Sequence, residues 1–354
     1  MTNYETKISK IEDSIIKKGD IELLKEEPAV KEGAELLKKG ELLAFPTETV
    51  YGLGADALNP EAVKKIFLTK GRPQDNPLII HIAELKQLPE IMEGELNING
   101  RKLIDAFWPG PLTVIVKKRD TIPDETTAGL DSVAVRMPVH PLARAIIERT
   151  GLPVAAPSAN ASGKPSPTRA VHVYNDLCGK IPLIIDGGAA ELGVESTVVD
   201  IREERVRILR PGGVSREEIR NIIGDFLCES LYSRNETERP VSPGMKYRHY
   251  SPETPLYIIE NEDSLRVLIE SELEQDSALI LSDETYQKYY SLFNTIQVIK
   301  MGPRNNPELI AYNLFDLLRR IDKLALHCVY IEAIPAAGIG EAVMNRIRKA
   351  AYRE

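Results

Sequence analysis

The first half of the chain consists of short apolar runs separated by amphipathic segments. Val30, Ala34 and Leu37 recur at helical spacing, and an apolar run at residues 42–45 follows them. A second helical pattern leads in the same way into the apolar run at residues 78–82. Short apolar runs that alternate with amphipathic helices predict buried strands in an α/β fold.

From residue 254 onward the alternation becomes more regular. The apolar runs that predict strands lie at residues 256–259, 278–281, 297–301 and 328–331. Amphipathic segments separate them, and a last helix is predicted over residues 341–352. This pattern predicts a small parallel sheet with helices outside it.

These patterns divide the chain into four parts. Residues 1–27 are charged and only weakly periodic, which is typical of a peripheral helix or a loose N-terminal arm. We expect a first α/β domain over residues 28–224, a connection over residues 225–253 and a second domain over residues 254–354. With 354 residues, of which 43% are hydrophobic, the chain can fill two cores.

Composition limits the class of protein. No apolar run approaches the length of a membrane span and the first residues are polar, so we expect a cytoplasmic protein without a membrane partner. Cys178, Cys228 and Cys328 lie far apart and lack metal-site spacing, so we expect them to be reduced and buried. The net charge of −8 favours small-molecule chemistry over a protein that mainly grips RNA, and direct tRNA binding is expected to be weak.

Lys70 and Arg72 flank a glycine on a predicted helix-to-strand connection that prolines stiffen. Such a loop suits an anionic ligand, because arginine offers a planar fork of donors, lysine a point charge and glycine close backbone approach. Taken alone, these residues favour a solvated surface turn slightly over a ligand-binding loop. Three further loops follow predicted strands and carry hydroxyls, glycines or cations: residues 46–54, 157–168 and 210–213. Ligands of open α/β sheets bind at the carboxyl ends of strands.

Arg136 lies on a predicted strand, residues 132–136, where Ser132 shares its face. A buried arginine needs an anionic partner, either a structural aspartate or the carboxylate of a substrate. The connection holds a segment at residues 242–252 with two tyrosines, a histidine and basic residues between prolines. That composition favours a docking segment over a passive spacer.

These loops resemble a known family in their number, order and spacing. The matching stretches are PTETVYGLG (46–54), KGRPQDNPL (70–78) with His81, WPGPLT (108–113), SVAVRMP (132–138), PSANASGKPSPT (157–168), DGG (186–188), ESTVVD (195–200), RPGG (210–213), SPGMKYRHYSP (242–252) and GIGEAVMNRIRKAA (338–351). They are similar to the YrdC-type threonylcarbamoyl-AMP synthases in their long, two-domain form. The resemblance covers residues 28–354.

The resemblance implies a twisted, mixed-sheet catalytic domain with a concave cavity, followed by a Rossmann-like parallel α/β domain. It also implies a nucleotidyltransferase that converts ATP, L-threonine and bicarbonate into L-threonylcarbamoyl-AMP and pyrophosphate. Separate machinery would then transfer the threonylcarbamoyl group to the adenosine beside the anticodon of certain tRNAs. Mg²⁺ would enter with ATP, without protein ligands that the sequence identifies, and no tightly bound organic cofactor is expected.

The same resemblance assigns roles to residues. Lys70 and Arg72 are the expected catalytic residues, and His81 is a candidate general base whose preferred role is a hydrogen bond to substrate. The ATP-binding set is Lys70, Arg72, Asn76, Ser132, Ser158, Asn160, Ser166, Arg210 and Tyr247, the last reaching over from the connection as part of a lid. The L-threonine-binding set is Thr49, His81, Arg136, Ala156 and Ser196.

Three other functions compete with this interpretation. The first domain could be a module that binds double-stranded RNA or tRNA, or the chain could be a regulatory ATP binder gated by its connection. A carbamoyl-transferring factor of hydrogenase assembly is a third alternative. Such factors carry cysteine-rich metal motifs, and three scattered cysteines count against it.

Overall fold

The computed structural model describes residues 4–228, 250–271, 276–293 and 296–352. A ten-stranded mixed sheet and a separate four-stranded parallel sheet organise these residues, as the fold class predicted. Strands of the large sheet are β1 (Lys7–Lys10), β2 (Leu43–Phe45), β3 (Gly52–Asp56), β4 (Ile79–His81), β5 (Leu112–Lys117), β6 (Ser132–Arg136), β7 (Val154–Ala155), β8 (Leu183–Asp186), β9 (Thr197–Asp200) and β10 (Arg207–Arg210). Their order across the sheet is β1-β8-β2-β3-β7-β4-β6-β5-β9-β10.

Helices of the first domain cover both faces of this sheet. They are α1 (Asp13–Lys17), α2 (Ile21–Glu26), α3 (Pro28–Lys38), α4 (Pro60–Lys70), α5 (Leu88–Ile91), α6 (Ile98–Phe107), α7 (Asp124–Thr127), α8 (Pro141–Thr150), α9 (Ala170–Leu177) and α10 (Arg216–Ile223). One core cluster includes Val63 and Phe67 of α4, and a second includes Leu37 of α3 and Ile146 of α8. The large sheet is therefore packed between two hydrophobic cores.

Residues 4–27 only partly follow their prediction. Helix α1 has no buried residues and is peripheral, as predicted, whereas β1 is an edge strand that pairs in parallel with β8 and was not predicted. An edge strand can be held by main-chain hydrogen bonds while charged side chains point to solvent, so its sequence lacks a strong apolar pattern. The burial of Ile11 and Leu24 anchors this segment to the core.

Capping residues at both ends of α4 explain why Lys70 lies at the start of its loop. The side chain of Asn59 caps the helix by accepting hydrogen bonds from the backbone of Glu61 and Ala62, and Pro60 occupies the first turn. Gly71 ends the helix in the left-handed conformation with φ of 62°. Lys70 is consequently the last helical residue, and its side chain is buried.

The second domain alternates strands and helices as predicted. Its elements are β11 (Leu256–Ile259), α11 (Glu262–Glu270), β12 (Ser277–Ser282), α12 (Asp283–Tyr289), β13 (Gln297–Gly302), α13 (Pro307–Ile321), β14 (Cys328–Glu332) and α14 (Gly340–Ala350). All neighbouring strands are parallel, in the order β11-β14-β12-β13. Val50 and Val194 of the first domain join the core cluster of this domain, so the two domains share a hydrophobic interface.

The cysteines only partly follow their prediction. All three are free thiols, but only Cys328 is buried, while Cys228 is half-buried and Cys178 is exposed. Cys178 is the residue that directly follows the last residue of α9. Across the described residues, no helix is long and apolar enough to cross a membrane.

Candidate active site

A cavity opens where several loops of the first domain meet, and it encloses about 750 Å³ of space that is partly open to solvent. Eleven of the predicted site residues line it: Thr49, Lys70, Arg72, His81, Arg136, Ala156, Ser158, Asn160, Ser166, Ser196 and Arg210. Asn76 and Ser132 are buried but do not line this cavity. Tyr247 lies outside the described residues. The fold thus brings together residues from stretches that are far apart in the sequence.

Backbone carbonyls hold Lys70 in place. Its Nζ donates to the carbonyl oxygens of Ser158 at 2.5 Å and Asn160 at 2.6 Å. Burial, with the neighbouring charge of Arg72 as a second cause, lowers the pKa of Lys70 well below its usual value. The carbonyl partners orient the amine without adding a compensating negative charge.

The loop after Lys70 braces Arg72 in a similar way. Nη2 of Arg72 donates to the carbonyl oxygens of Asn76 and Pro77, each at 3.2 Å. The guanidinium carbon also lies 5.9 Å from the centre of the Phe67 ring on the preceding helix. This loop therefore presents two basic side chains at positions that the main chain defines.

Arg136 is held by a carboxylate instead. Its Nη2 donates to Oε1 of Glu48 at 2.5 Å, Nη1 to Oγ1 of Thr49 at 2.9 Å and Nε to the carbonyl of Gly110 at 3.2 Å. The sequence left open whether the partner of Arg136 is structural or belongs to a substrate. A structural partner is present, but it is Glu48 and not an aspartate.

These contacts use three of the five N–H donors of Arg136, which also lines the cavity. Among the described residues, Oε2 of Glu48 is buried and has no hydrogen-bond partner. The ion pair therefore neutralises the buried guanidinium and fixes its plane, while two N–H groups stay available for a ligand carboxylate.

His81 is a neutral imidazole. Burial, followed by the charge of Arg136, lowers its pKa to about 3. Nδ1 lies 3.2 Å from the carbonyl oxygen of Ile79. A neutral ring offers one donor and one acceptor, so His81 can hydrogen-bond to a ligand without adding charge to the cavity.

One wall of the cavity is built from three segments that hydrogen-bond to one another, which carry Ser166, Glu195 with Ser196, and Arg210. The guanidinium of Arg210 donates to the carbonyl of Ser196 at 2.9 Å and to its hydroxyl at 3.1 Å. That hydroxyl also lies 2.7 Å from Oγ1 of Thr113 on β5. The hydroxyl of Ser166 donates to Oε1 of Glu195 at 2.6 Å.

Sequence reasoning missed several residues that shape this site. Glu48 and Glu195 lie inside the matching stretches but were given no role, and the two residues Arg346 and Tyr250 come from the second domain or its approach. For Glu48 and Glu195, the only signal in the sequence was that each stands directly before a residue with an assigned role, Thr49 or Ser196. Nothing in the sequence points from Arg346 to the cavity.

Comparisons with known proteins agree with this geometry. A family model described as telomere recombination, which joins Sua5, YciO and YrdC, matches residues 35–212. A second, described as the threonylcarbamoyl-AMP synthase C-terminal domain, matches residues 214–352. The threonylcarbamoyl-AMP synthase of Bacillus subtilis (strain 168) is 45% identical over 331 residues, which cover 93% of this chain and 95% of the relative. The chain belongs to the threonylcarbamoyl-AMP synthase family.

Solved structures extend the match to both domains of this synthase family member. The threonylcarbamoyl-AMP synthase of Pyrococcus abyssi (strain GE5 / Orsay) is 44% identical and covers 93% of this chain and 96% of its own length. The crystal structure of P. abyssi Sua5 complexed with L-threonine superposes with a TM-score of 0.83 at 41% identity, covering 98% of this chain and 97% of that one. The predicted family, fold and class of enzyme, a nucleotidyltransferase, are confirmed, whereas the predicted domain limits stay a prediction.

Proposed function

We propose that this protein makes L-threonylcarbamoyl-AMP from ATP, L-threonine and bicarbonate and releases pyrophosphate. One observation carries the proposal: basic side chains from two separated loops, Lys70 and Arg72 on one and Arg210 on the other, line the same cavity as Arg136, whose guanidinium suits a carboxylate. A triphosphate requires several cations, and an amino acid requires one paired with polar groups. The relatives that match along both domains carry the name of this activity.

The phosphates and the rest of the nucleotide are proposed to lie on the Lys70 side of the cavity. The proposed ATP-binding residues are Lys70, Arg72, Asn76, Ser132, Ser158, Asn160, Ser166 and Arg210, with Tyr247 from the connection. Lys70 and Arg72 support this assignment because backbone carbonyls orient both basic side chains in the cavity.

L-Threonine is proposed to lie on the Arg136 side. Its carboxylate would meet the two available N–H groups of Arg136, while Thr49, His81, Ser196 and the backbone of Ala156 would contact its amine and hydroxyl. The relative from P. abyssi was crystallised with L-threonine, which supports a threonine site in this fold.

In the proposed reaction, the amine of threonine attacks bicarbonate and, with loss of water, becomes a carbamate. An oxygen of the carbamate then forms a bond to the α-phosphorus of ATP, and the bond from that phosphorus to the bridging oxygen breaks. Pyrophosphate leaves with the electron pair, and Lys70 and Arg72 stabilise the charge that develops on it. A cavity that closes over the product would protect its mixed anhydride from water.

Mg²⁺ is proposed to enter bound to ATP. No group of three potential metal-ligating side chains occurs in the part of the chain that the structure describes, so phosphate oxygens would supply most of its ligands. When bound, the ion would neutralise charge on the phosphates. The expected separate transfer machinery, a cytoplasmic location and weak direct binding of tRNA remain part of this proposal.

Pyrophosphate release, with threonine and bicarbonate omitted in turn, tests the proposal. Release that requires both supports it. Release that ignores threonine points to another carboxylate substrate and contradicts the proposed reaction. Tight ATP binding without release supports a regulatory ATP binder, and salt-sensitive tRNA binding without ATP supports an RNA-binding module.

A further inference from the structure

An arginine of the last helix of the second domain contacts the wall of the cavity. Arg346 of α14 is fully buried. Its Nε donates to Oε2 of Glu195 at 2.8 Å, and its Nη1 donates to the carbonyl of Pro211 at 2.9 Å. Glu195 precedes the site residue Ser196, and Pro211 follows the site residue Arg210. One side chain of the second domain therefore holds two site loops of the first.

Glu195 is a carboxylate in a cavity that otherwise suits phosphate. It lines the cavity, and its Oε1 accepts the hydroxyl of Ser166. Burial by itself raises the pKa of Glu195, but the charges of Arg346 and Arg210, with the hydrogen bond from Ser166, bring it down to about 2. Glu195 is consequently ionised at neutral pH.

An ionised glutamate repels a triphosphate unless a cation neutralises it. Two arginines lie near Glu195, and they differ in their contacts. Arg210 hydrogen-bonds to Ser196, whereas Arg346 makes the direct ion pair with Glu195. If Arg346 neutralises Glu195, that carboxylate repels a nucleotide in the cavity less strongly.

Tyr250 connects the same pair to the core of the second domain. Its ring lies 5.5 Å from the guanidinium of Arg346 and stacks on Phe315 of α13 at 5.2 Å between centroids. Tyr250 also lines the cavity. The groups that face Glu195 are thus Arg346 of α14, Arg210 of β10, Ser166 and Tyr250. The interface between the domains is one wall of the site.

We propose that Arg346 is a positioning residue for the nucleotide: it neutralises Glu195 and holds Ser166 and the loop after Arg210 in their binding positions. The second domain is then an integral part of the ATP site. This inference rests on the proposed function for its substrate, ATP, and it adds a residue to which no role was assigned.

The experiment combines Arg346→Met, Arg346→Lys, and Arg346→Met together with Glu195→Gln, all in the full-length protein. Pyrophosphate release gives kcat and the KM values for ATP and threonine, and calorimetry gives the Kd for ATP. We expect Arg346→Met to raise the KM and Kd for ATP by at least about tenfold, because it leaves a buried charge without its partner. The KM for threonine should change much less.

The other two variants separate neutralisation from packing. Arg346→Lys should recover part of the ATP affinity, because an ammonium restores the charge but not the double contact. The double variant should also bind ATP more tightly than Arg346→Met, because the Glu195→Gln exchange removes the unpaired negative charge. A merely structural arginine would lower the free energy of unfolding in these variants but would leave the Kd for ATP of the folded protein unchanged.

The pH dependence of ATP binding gives an independent readout. In the wild type, Glu195 stays ionised between about pH 6 and pH 8, so it adds no pH dependence to the Kd. Without Arg346 the pKa of Glu195 rises, and protonation at the lower pH removes the repulsion. The ATP affinity of Arg346→Met should therefore improve as pH falls, and the Glu195→Gln exchange should abolish this effect.

Arg304→Met is the matched control, because Arg304 forms an ion pair with the buried Glu332 inside the second domain. It should leave the Kd for ATP unchanged. The inference is overturned if folded Arg346→Met has the same Kd for ATP as the wild type. It is also overturned if Arg304→Met raises the Kd for ATP as much as Arg346→Met does. If Arg346→Met does not fold, Arg346→Lys takes its place, and a folded Arg346→Lys that binds ATP as tightly as Arg304→Met decides against the inference.

The wild type shows whether the proposed function itself is wrong, independently of Arg346. A wild type that binds ATP but releases no pyrophosphate contradicts the proposed function, while the Kd comparison still tests Arg346. A wild type that does not bind ATP contradicts both.

Discussion

The two sides of the cavity hold their cations in different ways. On one side, Lys70 and Arg72 are held by backbone carbonyls of their own and a neighbouring loop. On the other, Arg136 is held by the carboxylate of Glu48. Carbonyls fix a position and leave the positive charge, whereas a carboxylate fixes a position and cancels it.

This difference suits two kinds of ligand. A triphosphate is a polyanion and needs positive charge, and in the proposed site Arg72 would supply it, while a bound phosphate would favour the charged form of Lys70, whose pKa is lowered by burial. An amino acid is a zwitterion and needs a donor fork in a nearly neutral setting, which the Arg136–Glu48 pair supplies. Under the proposed function, charge balance within one cavity would separate ATP from L-threonine.

Glu48→Ala should have the largest effect on stability. It leaves the guanidinium of Arg136 buried and unpaired, and we expect the free energy of unfolding to fall by about 3 to 5 kcal/mol. Denaturant unfolding measures this loss. Glu48→Gln serves as the control and should lose less, because its amide oxygen still accepts from Arg136. Equal stability of Glu48→Ala and the wild type would show that the pair is not needed for neutralisation.

Arg72→Ala should have the next largest effect, and it should act on turnover rather than on folding. Removing a preorganised donor to the leaving pyrophosphate should raise the barrier by about 2 to 4 kcal/mol, or roughly 30- to 1,000-fold in kcat/KM. Initial rates of pyrophosphate release measure the change. Arg101→Ala is the control, because Arg101 is an exposed arginine of α6 that pairs with Asp105. Unaltered rates in Arg72→Ala would remove this loop from the proposed site.

Acid should lower the free energy of unfolding, because two buried histidines, His81 and His140, are neutral in the folded protein. Burial and Arg136 lower the pKa of His81 to about 3, and burial lowers that of His140 to about 4. Since an unfolded histidine has a pKa near 6.5, the unfolded state binds protons that the native state does not bind as pH falls below that value. Each histidine should then cost about 1.4 kcal/mol of stability per pH unit until its folded pKa is reached.

Unfolding measured between about pH 7 and pH 5 tests the sign and the size of this effect. His81→Gln removes one titrating group, so its stability should fall less steeply with acid than that of the wild type. An unchanged slope would show that His81 is protonated in the folded protein.

Thr113→Val should have the smallest effect and should act only on the proposed threonine side. It removes the hydroxyl that lies 2.7 Å from Ser196 while it keeps the shape of the side chain. We expect a loss of about 0.5 to 1.5 kcal/mol in threonine binding. Calorimetric titration with threonine measures it, and ATP binding is the internal control. A larger loss for ATP than for threonine would reverse the assignment of the two sides.

Local features of the sequence were sufficient to predict many elements and the loops of the site. Asn59, Pro60 and Gly71 define where α4 begins and ends, and they bring Lys70 to the start of its loop. The regular alternation after residue 254 predicted the four parallel strands. The edge strand β1 was not predicted, because its stability depends on pairing with β8, and its residues carry no apolar repeat.

The sequence by itself determined most of the helices and strands and the basic loops, because caps, turns and periodicity act over a few residues. Only the tertiary structure decided the partners of the buried charges. Glu48 and Arg136 are 88 residues apart, and Glu195 and Arg346 are 151 residues apart. No local rule links such pairs, because a glutamate on a loop has the same sequence signature whether it faces water or a distant arginine. Packing removes water from both groups, and that desolvation makes the pairing obligatory.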